Sequence, residues 1–116
     1  MSCSIYYTAE RKTPLTDMEI TSVHNIIDKY NSEYPFDEKS EDFCIYDGLL
    51  ENDVIFQGAT KLPDSDMELS FEVAEYWLEC LTEITRLLHG CQWSVTLDDV
   101  CIVWNYLYGW SFPTDI

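Results

Sequence analysis

Residues 69–90 read LSFEVAEYWLECLTEITRLLHG, and the fold turns on this segment. Val73, Trp77, Leu81, Ile84 and Leu88 recur at helical spacing and form one apolar stripe. Glu72, Glu75, Glu79 and Glu83 form a second stripe, which at about 100° per residue lies roughly opposite the first. The segment therefore predicts a long helix with one face docked on a core and a row of carboxylates turned to water. Gly90 stops it, and Arg86 and His89 suit the C-terminal end of the helix dipole. Ser70 is the preferred cap, giving a helix from Ser70 to His89, while Ser65 with Glu68 offers an earlier start.

Downstream, Gln92–Leu97 alternates polar and apolar residues, as a strand with one buried face does. Asp98-Asp99 is expected as a tight turn, Val100–Tyr106 as a final strand, and Leu107–Ile116 as an irregular aromatic tail. Upstream, Cys3–Ala9 reads as a first strand. Thr16 and Glu19 have capping-box spacing, and Ile20, Val23, Ile27, Tyr30 and Tyr34 extend a first helix over Asp17–Ser32 before Pro35. Asp42–Asp47 and Asp53–Lys61 read as an antiparallel pair, with Gly58 marking a bulge or a close approach.

The order is β-α-β-β-α-β-β. Its first six elements fit the ferredoxin-like, split β-α-β arrangement, with both helices on one face of an antiparallel sheet. The added C-terminal strand extends the sheet to an expected order of 5-4-1-3-2. At 116 residues the chain is expected to be a single α+β domain over residues 1–116, large enough to bury about two-thirds of its unfolded surface. An apolar fraction of 47% supplies that core without metal or disulfide staples.

Twenty-two acidic against six basic residues give a net charge of −16, which disfavours nucleic acid and anionic membranes and favours a basic protein partner. No apolar run reaches the ~18 residues that a membrane span needs. The five cysteines are scattered without C-x-x-C pairing, so reduced thiols in the cytoplasm are expected. His24 and His89 provide no paired metal-ligand spacing, and no metal or cofactor is expected.

No nucleophile elbow, phosphate-binding glycine loop or zinc-protease motif occurs, and Asp98-Asp99 is more simply a turn than an acid/base pair; no catalytic residue is expected. The size and charge resemble those of immunity-type inhibitors. The expected function is thus a non-enzymatic, acidic protein-binding module that neutralises a basic partner such as a toxin. Glu72, Glu75, Glu79, Glu83, Asp98 and Asp99 would supply charge complementarity, with Tyr108 and Trp110 as aromatic anchors. The alternative is a small-molecule-binding or catalytic ferredoxin-like homodimer built on the helix-free sheet face.

Overall fold

Ile5, Tyr7 and Ala9 are buried while Tyr6 is exposed, and this alternation lays one face of β1 (Cys3–Glu10) on the core. The computed structural model describes residues 3–36, 54–62, 67–98 and 100–112. On one side β1 pairs antiparallel with β2 (Val54–Leu62), and on the other with β3 (Gln92–Leu97). β3 pairs in turn with β4 (Val100–Cys101), giving the order β2-β1-β3-β4. Phe56, Thr60, Leu62, Val95 and Leu97 join the buried face. Tyr7 and Thr60 reconcile two polar groups with that core by hydrogen-bonding to each other at 2.9 Å. The opposite face carries Ser4, Thr8, Gln57, Lys61, Ser94 and Thr96 around Tyr6.

α1 (Asp17–Ser32) begins with the expected capping box: the Glu19 N–H donates to the Thr16 hydroxyl and the Thr16 N–H donates to the Glu19 carboxylate. Arg11 grips the same carboxylate through two N–H groups, at 2.9 and 3.1 Å, and also donates to the carbonyls of Thr13, Pro14 and His89. One side chain thus ties the end of β1 to the start of α1 and the end of the second helix. That helix, α2 (Met67–Leu87), buries Val73, Ala74, Trp77, Leu78, Leu81 and Ile84. Val23 and Ile27 of α1 share their core with the buried face of β1. Each large buried side chain contributes about 1.5–3 kcal/mol. The like-charge pairs of the glutamate row cost only about 0.2–0.5 kcal/mol each, so burial decides that the helix forms.

The structure corrects several expectations. α2 starts at Met67, ahead of Ser70, and ends at Leu87. The irregularity in the β1–β2 ladder falls between Ala9 and Glu10, opposite residues 54–56, and Gly58 pairs regularly with Tyr7. The segment expected as a strand at Asp42–Asp47 lies outside the described residues, so the described sheet has four strands where five were expected. The last strand is also interrupted. After β4, Ile102 donates its N–H to Val95 and is buried, and the chain then leaves the sheet. β5 (Val103–Asn105) and β6 (Gly109–Ser111) form a separate two-stranded ribbon with Trp104 opposite Trp110. The aromatic tail therefore begins as an ordered hairpin, and it packs on α2 and not across the helix-free sheet face.

The reason lies in α2 itself. Phe71, Ala74, Leu78, Thr82 and Thr85 make a further stripe, offset from the first, so the apolar arc of the helix is wider than one docked face. The hairpin covers the C-terminal part of this stripe, where Trp110 reaches Thr82 and Thr85. What remains open on α2 includes Glu72, Glu75 and Glu79 of the acid row, with Met67 and Phe71 near its start.

Candidate protein-binding site

The hairpin turn is held from both ends. The Asn105 side-chain oxygen accepts the N–H groups of Leu107 (2.8 Å) and Tyr108 (3.2 Å), a short-range turn bond suited to asparagine. From α2, Arg86 donates to the carbonyls of Tyr106 (3.5 Å) and Leu107 (3.3 Å), and its guanidinium lies 6.0 Å from the Trp104 ring centre. The turn therefore presents its side chains outward: Tyr106 and Tyr108 are each 79% exposed and Leu107 is 61% exposed. Three consecutive large apolar side chains on a fixed turn form a compact projecting patch.

Trp110 has a different position from Tyr108. It is 8% exposed. Its backbone N–H donates to the Thr82 hydroxyl (3.0 Å) and its ring N–H donates to the Thr85 hydroxyl (2.9 Å). Those hydroxyls donate on to the carbonyls of Leu78 and Leu81, so every polar group of the joint is paired. Of the two aromatics expected as anchors, Tyr108 is open to a partner and Trp110 fastens the hairpin to the helix.

The acid row is likewise divided. Glu72, Glu75 and Glu79 are exposed. Glu83 is half-buried and receives both Lys29, with Nζ 3.1 Å from each carboxylate oxygen, and the Tyr30 hydroxyl. Burial, followed by the bond to Glu83 and its charge, pushes the Tyr30 phenol well above its ordinary range, so it stays a donor to this carboxylate. Glu83 thus links α1 to α2, and the charge left for a partner sits on the three residues before it.

Glu79, Glu83, Tyr108 and Trp110 do meet. With Tyr30, Thr82 and Arg86 they line a cavity of about 250 Å³ between α1 and the hairpin. Asp98 belongs to another part of the molecule. It sits at the β3–β4 turn with φ of 52°, accepts the Ser4 N–H and donates its own N–H to Ser4, and it does not line this cavity. Asp99 lies outside the described residues.

Sequence reasoning missed Leu107, Asn105, Arg86 and Tyr30. A signal for the turn was present: Asn105 and Gly109 bracket three apolar residues, and asparagine and glycine are the residues a tight reversal needs. Lys29 and Tyr30 carried none, since their contact with Glu83 joins residues more than fifty positions apart.

Among the described residues no group of acids, histidines and cysteines is placed to hold a metal ion. No described helix is long and apolar enough to cross a membrane. No family model matches the chain, and neither a curated protein nor a solved structure is detectably similar to it.

Proposed function

We propose that this chain is a non-enzymatic, acidic protein-binding module that neutralises a basic partner, in the manner of an immunity-type inhibitor. The observation that carries the reading is the projecting turn Tyr106–Tyr108, held by Asn105 and Arg86, whose Tyr108 lines one cavity with the exposed Glu79 of the acid row. Aromatic side chains with few rotatable bonds provide affinity, and neighbouring charge provides fast, selective encounter. The carboxylates of Glu72, Glu75 and Glu79 are the charge available for that purpose, with Tyr108 as anchor. A cytoplasmic site of action belongs to the same proposal, supported by the free thiols of Cys80, Cys91 and Cys101.

The test is binding to a purified basic partner recovered from the source cells. Charge reversal of Glu75 and Glu79 to lysine should slow association and flatten its salt dependence, and Tyr108→Ala should cost about 2 kcal/mol or more if that residue is a central anchor. Binding that ignores salt and tolerates all three changes would sink the proposal.

The ferredoxin-like topology is also offered as a proposal. It is supported by the place of β1 between two antiparallel neighbours and by the shared core of α1 and α2. It requires a further strand beside β2 on the edge away from β1, and hydrogen-bond couplings measured by NMR across that edge would decide it.

A further inference from the structure

The largest cavity among those described lies on the other flank of the hairpin, and its chemistry is unlike that of the rest of the molecule. It measures about 540 Å³ and opens to solvent between the C-terminal end of α2, the start of β3 and the β5–β6 ribbon. Trp93, Trp104 and Trp110 line it, three of the four tryptophans in the chain. Trp110 stands edge-on to both of the others, with ring centres 5.2 and 6.4 Å away. The volume is that of an ordinary small-molecule site and exceeds what one bicyclic ring occupies.

One donor in this wall is underused, and a second is sealed behind it. The Trp93 ring N–H is buried and has no hydrogen-bond partner among the described residues. Leaving such a group unpaired costs about 1–3 kcal/mol, and orphans of this kind are rare. Arg86 lines the cavity, and among the described residues its hydrogen bonds use only Nη2, on the carbonyls of Tyr106 and Leu107. The rest of its guanidinium is available for a planar, two-pronged acceptor. No carboxylate among the described residues lines this cavity, although the chain has 22 acidic residues. Aromatic walls, an arginine and local freedom from acids describe one ligand chemistry.

We propose that this cavity binds a planar aromatic carboxylate, its ring against the three indoles and its carboxylate on Arg86. The net charge of the chain opposes an anion only at long range. At physiological salt that field is screened beyond about 8 Å, so the arginine beside the ligand decides the sign. This site adjoins the partner-binding surface proposed above and shares Arg86 and Trp110 with it, but it takes a different ligand.

Indole-3-acetate and its uncharged twin, indole-3-acetamide, are suitable probes, read by the NMR signals of the four indole N–H groups in nitrogen-15-labelled protein. The acid should shift the signals of Trp93, Trp104 and Trp110 saturably and leave that of Trp77, which lies in the core, in place. Loss of a charged hydrogen bond corresponds to about tenfold or more in affinity. The amide should therefore bind at least that much more weakly, and Arg86→Gln should reduce binding of the acid to the level of the amide. Because Arg86 also steadies the hairpin, Trp104→Ala gives a second reading: Trp104 is partly exposed, and its removal should weaken both probes. The proposal is overturned by the absence of a saturable shift at about 10 mM acid, a concentration at which even very weak sites fill. It is also overturned if acid and amide bind alike, or if Trp104→Ala leaves affinity unchanged.

Discussion

Gly109 lies directly against Thr82: a Cβ built at Gly109 would stand 2.4 Å from both the hydroxyl and the methyl of that threonine. Gly109 also has φ of +85°, a conformation that side-chain-bearing residues rarely adopt. The contact is how β6 comes close enough to α2 for the Trp110 N–H to reach the Thr82 hydroxyl. Gly109→Ala should therefore be destabilising by about 1–3 kcal/mol, through overpacking and backbone strain together. Denaturant midpoints would measure the loss. In a Thr82→Ala background the added methyl group should cost less, because the two shortest contacts are removed and only the 2.9 Å approach to the Cβ and the strain of φ remain. Equal costs in the two backgrounds would show that the hairpin does not rest on this contact.

Two leucines separate what holds the fold from what is offered to solvent. Leu81 is 0% exposed at the centre of the α2 core stripe, and Leu107 stands at the tip of the turn. Leu81→Ala should cost about 2–5 kcal/mol, the range for a cavity left in a close-packed core. Leu107→Ala should lie within about 0.5 kcal/mol of the parent, as surface changes do. Urea unfolding of both variants would check this. A large loss at Leu107 would mean that the turn carries stability and is not simply displayed.

Both helices, and the strands containing Tyr7, Phe56 and Val95, were legible because period and burial coincide there. Cys3–Glu10, for example, puts Ile5, Tyr7 and Ala9 on one face and Tyr6 on the other. Thr16 and Glu19 named the start of α1 through a purely local interaction. The end of the chain was harder to read. Val100–Asn105 is uniformly strand-like, and nothing local says that pairing with β3 stops at Cys101 while the next residues pair with Gly109–Ser111. That outcome depends on the second stripe of α2, in which Thr82 and Thr85 look polar in a sequence yet act as acceptors for Trp110. The acid row was visible, but its division was not, because Glu83 is answered by Lys29 and Tyr30 from another helix.

The thiols should differ sharply in reactivity. Cys80 is wholly buried in α2, and burial, with the nearby charge of Glu83, pushes its pKa far above the ordinary thiol range. Cys91 is partly buried and also raised, chiefly by burial. Cys101, on the two-residue strand β4, is exposed. Among these three, alkylation of native protein followed by peptide mapping should find Cys101 modified first, Cys91 more slowly, and Cys80 only when the protein unfolds. Early labelling at Cys80 would indicate that α2 opens locally far more often than its packing implies.

The Arg11–Glu19 contact predicts a specific pH dependence. The two hydrogen bonds from Arg11, then the Thr16 N–H, hold the Glu19 carboxyl at about 2, against an ordinary value of 4.5. A carboxylate depressed in the folded state contributes stability that is present above its unfolded pKa and lost as pH falls through the folded one. For Glu19 that window runs from about pH 4.5 down to about pH 2. Overall stability is a poor reporter of this, because protonating the other acids of a chain with net charge −16 relieves self-repulsion over the same range. The difference between the parent protein and Glu19→Gln cancels that common term. Thermal unfolding should therefore find the parent more stable than the variant at pH 7, with the gap in Tm closing as the pH is lowered toward 2. A gap that stays constant across the window would mean that Glu19 acts through its shape and uncharged hydrogen bonds, and not through its charge against Arg11.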